Sequence, residues 1–587
     1  MSDVTPDTNG LPLDNPAIDD ASVEDTSIDD AAAARVNEDA ATITANDKAR
    51  LPVAKPIAAV AGVLAGGVAL GVGELLSGMS NKIPSLIVRV GDEVIARAPG
   101  PVERWAIDTL GTNDKPALVI GITIVSLLLA AIAGLLAAKK FRSGAAIFAL
   151  FGFVGGLASA SDPQRPAGWA WFAAILAAAA GIASLYYLLR AAQSARSTDA
   201  PLSLDTAPRR GFLGAATAAA AVGIVTPIVG SALRKRQSAE VEGDRENVAA
   251  ALDQIEQPTV EAQGATLESA STAMPELESL DHVEGISTLV SPNDNFYRID
   301  SALSIPRIDV ETWSMKITGM VDEELEFTFD DLLAMDPVEE FVTLSCVSNQ
   351  VGGDLVGNAR WLGVPIKKLL DMAGVQGGAT QIVGRSVDGW TGGFPTEYLD
   401  DPDRVALVAV AMNGEPLPTR HGFPVRLVVA GLYGYVSATK WLKEIELTTL
   451  DDFDGYWITR GWSKLGPIKT QSRIDVPNGN ARISAGSEVI AGVAWAPDRG
   501  VDRVEVLVTG IVDGQEVESD AWIEAELSGD VTNNSWRQWV VPWDATPGDY
   551  VIRVRATDGT NETQTPVRTR VDPDGASGWH SIAVQVT

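Results

Sequence analysis

Cys346 is the sole cysteine among 587 residues, and it lies in "TLSCVSNQVGG" (343–353), where a β-branched run gives way to a polar, glycine-rich turn. A lone thiol has no intrachain disulfide partner, and one cysteine is too few for a four-cysteine zinc or iron–sulfur site. A free cysteine commonly packs as a small hydrophobe. A sulfur at a strand end facing a loop can instead act as a nucleophile or as a soft metal ligand. Thiolate nucleophiles call for a histidine base. The chain has only His282, His421 and His580, none of them near Cys346 in sequence.

Other residues of chemical interest follow in order. His421 and Arg426 flank "GFP", a turn feeding the apolar strand "VRLVVAG", so both can reach one edge of a flat polar ligand. "GYVSATK" then offers Ser437, Thr439 and Lys440, which with nearby backbone amides suit a phosphate. Each has a plain structural alternative; Lys440 beside Trp441 could simply lay its stem on the ring. Their joint order with Cys346 favours a common site.

The elements that must position these residues divide the chain. Residues 1–50 are acidic, with almost no aromatics, and are expected to be a disordered tail. Residues 51–236 hold about five transmembrane helices, at 56–78, 116–138, 144–160, 168–189 and 211–233, each near the roughly 20 apolar residues that cross a bilayer. Lys48, Arg50, Lys55, Lys139, Lys140, Arg142, Arg190, Arg196, Arg209 and Arg210 then share one side, the cytoplasmic one by the positive-inside rule, and everything after 234 lies outside. "RKR" at 234–236 and the basic residues of 80–115 run against this orientation, and a four-span count would reverse it. "PRRGFLGAA" (208–216) fits a twin-arginine export signal, or an ordinary basic flank.

Residues 237–285 are expected to be an acidic linker with one short helix around "ENVAAALDQI". From 286 to 469 short strands alternate with two helical stretches, "TFDDLLAMD" and "PIKKLLDMAGV", which is an α+β pattern. From 470 to 587 apolar–polar alternation between Gly/Asp turns predicts an immunoglobulin-like β-sandwich. The fold class is therefore multi-domain: N-terminal transmembrane α-helices, an α+β domain and the sandwich. A formal net charge of −32 argues against nucleic acid as a partner, because phosphate backbones need clustered Lys and Arg.

The region 285–587 resembles the sulfite oxidase-type molybdopterin oxidoreductases. The resemblance rests on "PNDNFYRID" (292–300), "TLSC", "RWLGVPIKKLLDMAGV" (360–375), "HGFPVRLVVAGLYGYVSATKWLKEIEL" (421–447) and "GVAWAPDRGVDRVEV" (492–506). It implies a molybdenum–molybdopterin cofactor with Cys346 as the metal's thiolate ligand. It also implies that Tyr297, Arg298 and Ser386 line the cofactor together with His421, Arg426, Ser437, Thr439 and Lys440. Arg298 and Arg460 are then candidate substrate-orienting residues, and the sandwich is expected to mediate a homodimer. The sequence departs from the pattern at Val351, where the family has an arginine, and at Trp462, near the position of a family tyrosine. Sulfite is therefore not singled out over a sulfoxide or an N-oxide.

No histidine falls in the five apolar stretches, so they hold no bis-histidine haem. Electrons are expected to pass to or from a separate partner, while the bilayer holds a membrane-anchored enzyme outside the cytoplasm. The rival from another class is a cofactor-less surface binding or adhesion protein that keeps the fold.

Overall fold

The computed structural model describes residues 53–99, 102, 105–106, 109–110, 113–160, 166–194, 207–252, 278–401, 404–517 and 521–587. The expected acidic tail, Arg196 and the 253–277 part of the linker lie outside the described residues, as does the side chain of Arg209.

Among the described residues the N-terminal region includes the helices α1 (Lys55–Met79), α2 (Leu86–Arg97), α3 (Asp114–Lys139), α4 (Phe141–Ala160), α5 (Ala167–Ser194) and α6 (Ala207–Leu252). All but α2 are long and apolar enough to cross a membrane. Small residues let them approach closely. A Cβ on Gly62 of α1 would stand 2.1 Å from the carbonyl oxygen of Ala130 in α3, and one on Gly134 would stand 2.1 Å from that of Ala58. Such glycine-lined crossings are how helices associate where lipid removes the hydrophobic drive. Ile120, Ile124 and Leu128 of α3 point outward, each more than half exposed.

Helix α2 was not expected from the sequence. It is amphipathic, and the Ser85 side chain caps it by accepting from the Val88 amide. Helix α6 corrects the expected linker. Its 46 residues span roughly 69 Å at 1.5 Å per residue, about twice a hydrocarbon core. Residues 237–252 are the last third of this helix. There Val241 and Val248 join the main core of the α+β domain, and Arg245 donates to the carbonyl oxygens of Leu417 (2.9 Å) and Pro416 (3.0 Å).

The α+β domain contains two five-stranded sheets. One runs in the order 325–328, 314–319, 442–448, 381–386, 391–395; the pair 314–319 and 442–448 is parallel and the rest are antiparallel. The other runs 338–345, 356–365, 406–412, 415–416, with 426–429 also paired to 406–412. Both anticipated helices form. Thr328 and Asp331 make a capping box at the start of Phe329–Leu333, and Ile366–Ala373 buries Ile366, Leu369, Leu370 and Ala373 before stopping at left-handed Gly374. Beyond 470 two further sheets face each other across Ile490, Val506, Trp539 and Ile552.

The two-sheet C-terminal region grips the loop that carries Cys346. Arg473 donates to the Gly353 carbonyl oxygen (2.9 Å), and a Cβ on Gly352 would lie 2.2 Å from Cδ2 of His580. Nδ1 of His580 accepts from the Ile474 amide (3.0 Å), so the neutral ring carries its proton on Nε2. Nearby, the Trp536 amide donates to Thr343 Oγ1 (2.7 Å), and Asn358 Nδ2 donates to Ser535 Oγ (2.9 Å).

Two outcomes follow. Gly352 has φ +78°, so Gly352→Val meets both backbone strain and the imidazole; it should cost at least about 2 kcal/mol in denaturant unfolding. Burial, then the Arg473 charge, pull His580 down to about 4. As pH falls below 6.5 the unfolded chain takes up this proton first, so its share of stability is intact above 6.5 and is lost between 6.5 and 4. His580→Asn should flatten that decline by at most about 1.4 kcal/mol per pH unit, read from unfolding midpoints.

Candidate functional site

The strand Val338–Ser345 ends one residue before Cys346, and the chain then turns back on itself. The Cys346 amide donates to the Leu355 carbonyl oxygen (2.9 Å), its carbonyl accepts from Asn349 (3.0 Å), and Asn349 Oδ1 accepts from the Leu355 amide (3.0 Å). This fixes the thiol at the loop base, with Sγ 2.9 Å from Ser348 Oγ. Burial pushes the thiol's pKa up, against the hydrogen bonds from Ser348 and the charge of Lys440. It therefore stays protonated at neutral pH until a cation takes the proton's place. Among the described residues no three His, Cys, Asp or Glu side chains gather to hold a metal, and Cys346 is the one side chain in the sequence that could offer a thiolate.

Around the thiol sits an aromatic and cationic cradle. Phe296 is its hub, packed edge-on against His421 (5.6 Å) and Trp361 (5.7 Å) and stacked on Tyr297 (5.3 Å). Tyr297 approaches the 434–437 turn; its hydroxyl would be 3.8 Å from a Cβ on Gly434. Burial, then the field of Cys346, push the Tyr297 phenol far above its usual range, so it remains a hydrogen-bond donor. Arg426 is buried over the Trp361 ring (5.0 Å) and donates to the His421 carbonyl oxygen (3.0 Å); it forms no ion pair among the described residues. Burial brings it down to about 10. His421 Nε2 lies 3.1 Å from the Asn293 carbonyl oxygen and donates to it. Burial, Arg426 and Lys440 pull this imidazole to about 3, so it is neutral at physiological pH.

Lys440 and Thr439 follow in the segment that joins the two sheets of the domain. The Thr439 hydroxyl is fully buried and has no hydrogen-bond partner among the described residues. Ser437 is satisfied by the carbonyl oxygens of Tyr433 (3.1 Å) and Leu432 (3.3 Å), and Ser386 Oγ accepts from the Asp388 amide (3.4 Å). Lys440 Nζ pairs with Asp300 Oδ2 (3.0 Å), and Arg298 Nε meets the same oxygen (2.8 Å). Burial pulls Lys440 down to about 8 although Asp300 opposes it. Burial raises Asp300, yet Lys440, Lys115 and Arg298 together hold its carboxyl well below the usual range.

Arg460 lies elsewhere. Its guanidinium donates to the carbonyl oxygens of Tyr456 (2.7 Å) and Ala96 (3.1 Å) and stacks on the Tyr456 ring (3.6 Å), which ties it to the end of α2. Trp462 packs against Tyr435 (6.0 Å) and Trp457 (6.4 Å). Three participants were not anticipated: Ser348, Asp300 and Tyr433, whose phenol burial pushes up to about 12 with the field of Cys346 among the further causes. Asp300 could have been suspected from "YRID", where a carboxylate follows the arginine at two residues.

The donor set suits an anionic pterin bearing a thiolate-bound metal. Among the described residues the buried Thr439 hydroxyl lacks a partner and the buried Arg426 guanidinium lacks an anion, while the thiol's hydrogen-bond partner is the Ser348 hydroxyl. Residues 302–457 match the family described as oxidoreductase molybdopterin binding domain. Mitochondrial sulfite oxidase of Rattus norvegicus is 27% identical over 349 residues, 51% of this chain and 62% of that protein. "Uncharacterized oxidoreductase YuiH" of Bacillus subtilis (strain 168) is 34% identical over 159 residues, 27% of this chain and 76% of that protein. "Nitrate reductase [NADH]" of Solanum lycopersicum is 33% identical over 178 residues, 26% of this chain and 19% of that protein. The chain thus spans less than two thirds of the sulfite oxidase it matches. It belongs to the sulfite oxidase-type family of molybdopterin oxidoreductases, whose cofactor is molybdenum–molybdopterin.

Proposed function

We propose that the chain is a membrane-anchored oxidoreductase whose catalytic domain works outside the cytoplasm by oxygen-atom transfer. The observation that carries this is the cation-rich, partly unsatisfied cradle around one thiol, within the segment that matches the molybdopterin-binding family. Cys346 would give its proton up and bind the metal as thiolate. Tyr297, His421, Arg426 and Ser386 would line the pterin, and Thr439 and Lys440, with the amides of the 437–440 turn, would hold its phosphate. Once bound, the group supplies a two-electron couple, and the protein positions the substrate.

Arg298, exposed at the edge of the site and steadied by Asp300, would orient an anionic or strongly dipolar substrate such as a sulfoxide, an N-oxide or a sulfite-like oxyanion. Arg460, held by α2, would act at most through the shape of the entrance. Electrons would pass to or from a separate carrier, and the C-terminal sheets, as an immunoglobulin-like sandwich, would pair two copies.

The orientation has specific support. Lys55, Lys139, Lys140, Arg142, Arg190 and Arg210 fall at the helix ends away from the catalytic domain. Four of the basic residues on the catalytic side that ran against the positive-inside rule have carboxylate partners: Arg89 with Asp92 (2.9 Å), Arg97 with Glu93, Lys115 with Asp300 (2.9 Å) and Arg234 with Glu74 (2.9 Å).

Metal analysis of purified chain should find about one molybdenum per polypeptide, as one thiolate site allows; none, with ample molybdate, would favour the cofactor-less binding protein. Cys346→Ser should abolish oxidoreductase turnover with little change in circular dichroism, and a fully active serine variant would reject the ligand role. Arg209→Lys with Arg210→Lys should keep the catalytic domain from reaching external protease; normal exposure would mark the pair as a plain basic flank.

A further inference from the structure

Lys115 opens helix α3, in the apolar part of the chain, yet all three of its ammonium donors go to one short stretch of the catalytic domain. They reach the Asp300 carbonyl oxygen (2.7 Å), Asp300 Oδ1 (2.9 Å) and the Ala302 carbonyl oxygen (2.8 Å), 185 to 187 residues away in sequence. The Asp300 side chain is only 5% exposed. Lys115 makes the shorter contact to its Oδ1 (2.9 Å, against 3.5 Å from Arg298 Nη2), and Lys440 and Arg298 Nε share Oδ2. A lysine in the first turn of a helix opposes the helix dipole, so helix stability does not account for it there.

We propose that Lys115 is a positioning residue of the cofactor site, contributed by the helical region: by fixing Asp300 it sets where Lys440 and Arg298 stand. An ammonium with three acceptors holds the 300–302 backbone as well as one carboxylate oxygen, which leaves the other oxygen pointed at the two cations that face the site. Without it, Asp300 can turn about its side-chain bonds, and Lys440 follows its counter-ion away from the phosphate position. The helical region then completes the cofactor pocket besides anchoring it. This rests on the cofactor reading proposed above.

The test uses full-length protein in detergent, purified with its cofactor. Parent, Lys115→Met, Lys115→Arg and Arg307→Gln are compared for molybdenum and pterin retained per chain through prolonged dialysis, and for the Mo(V) resonance of partly reduced samples. Arg307 is the docking control, since it joins the same domain to α6 through Gln237 (3.3 Å) and Ser238 (3.1 Å). Lys115→Met should lose cofactor roughly tenfold faster, a change of about 1.4 kcal/mol, and should alter the resonance. Lys115→Arg should recover most of the retention, and Arg307→Gln should match the parent. Parent-like retention in Lys115→Met overturns the proposal, and so does equal loss in Arg307→Gln. If Lys115→Met does not fold, Lys115→Gln takes its place: faster cofactor loss and an altered resonance there, with neither in Arg307→Gln, support the proposal, and parent-like retention and spectrum overturn it. A parent without molybdenum would instead overturn the cofactor reading, and this inference with it.

Discussion

The carboxylate of Asp300 is shared among cations from three parts of the chain: Arg298 in its own loop, Lys440 from the strand junction and Lys115 from the helical region. Removing a carboxylate from water costs several kcal/mol, and only well-placed partners offset that cost. Here Lys115, Lys440 and Arg298 surround the group as ion-pair partners, and each oxygen has an assigned partner. The arrangement joins three segments that no sheet or helix connects: the 296–302 loop, the junction 439–442 between the two sheets, and the start of α3. A shift in any one of them changes the electrostatics of the other two.

Positive charge still exceeds negative around Cys346. Arg426 and Lys440 are desolvated, at about 10 and about 8, and Arg426 has no carboxylate near enough to pair with it among the described residues. Folding has already removed their water, so a phosphate or oxyanion arriving there meets fixed donors in a low-dielectric setting and need not strip them itself. Neutral His421 and the protonated Tyr297 add donors without adding charge. The thiol fits the same logic: burial raises its pKa against Ser348 and Lys440, and in the proposed reading a metal would supply the charge that favours its ionised form.

Local pattern disclosed much of this. Cys346, His421, Arg426, Thr439 and Lys440 lie in short motifs whose residue types already suggest a ligand, and the structure gathers them. The apolar helices were legible by length, the capping box at Thr328 by spacing, and the end of Ile366–Ala373 by Gly374. What remained hidden depends on distant contacts. Nothing beside Lys115 in sequence points to a carboxylate 185 residues away. Helix α2 was hidden because its apolar positions are interleaved with Arg89, Asp92 and Glu93, which read as a charged loop. The last third of α6 has only Val241 and Val248 buried, one pair at i, i+7, too sparse for a periodic signal. Arg460 shows the converse: its motif suggested a substrate contact, and tertiary packing gives its guanidinium to the end of α2.

The two flanking regions act on different halves of the site. The C-terminal sheets hold the Cys346 loop through Arg473 and through the contact of Gly352 with His580, so they govern where the sulfur stands. The helices hold the cationic half through Lys115, and the domain as a whole through Arg245, Arg307 and the link from Arg460 to Ala96. A single tether would leave the domain free to swing, but contacts from α2, α3 and α6 fix its orientation as well as its distance. In the proposed reading Cys346 would hold the metal and Lys440 the phosphate, and one ligand reaching both would tolerate little error in their separation. That separation would then be set from outside the α+β domain, by Arg473 and His580 on one side and Lys115 on the other.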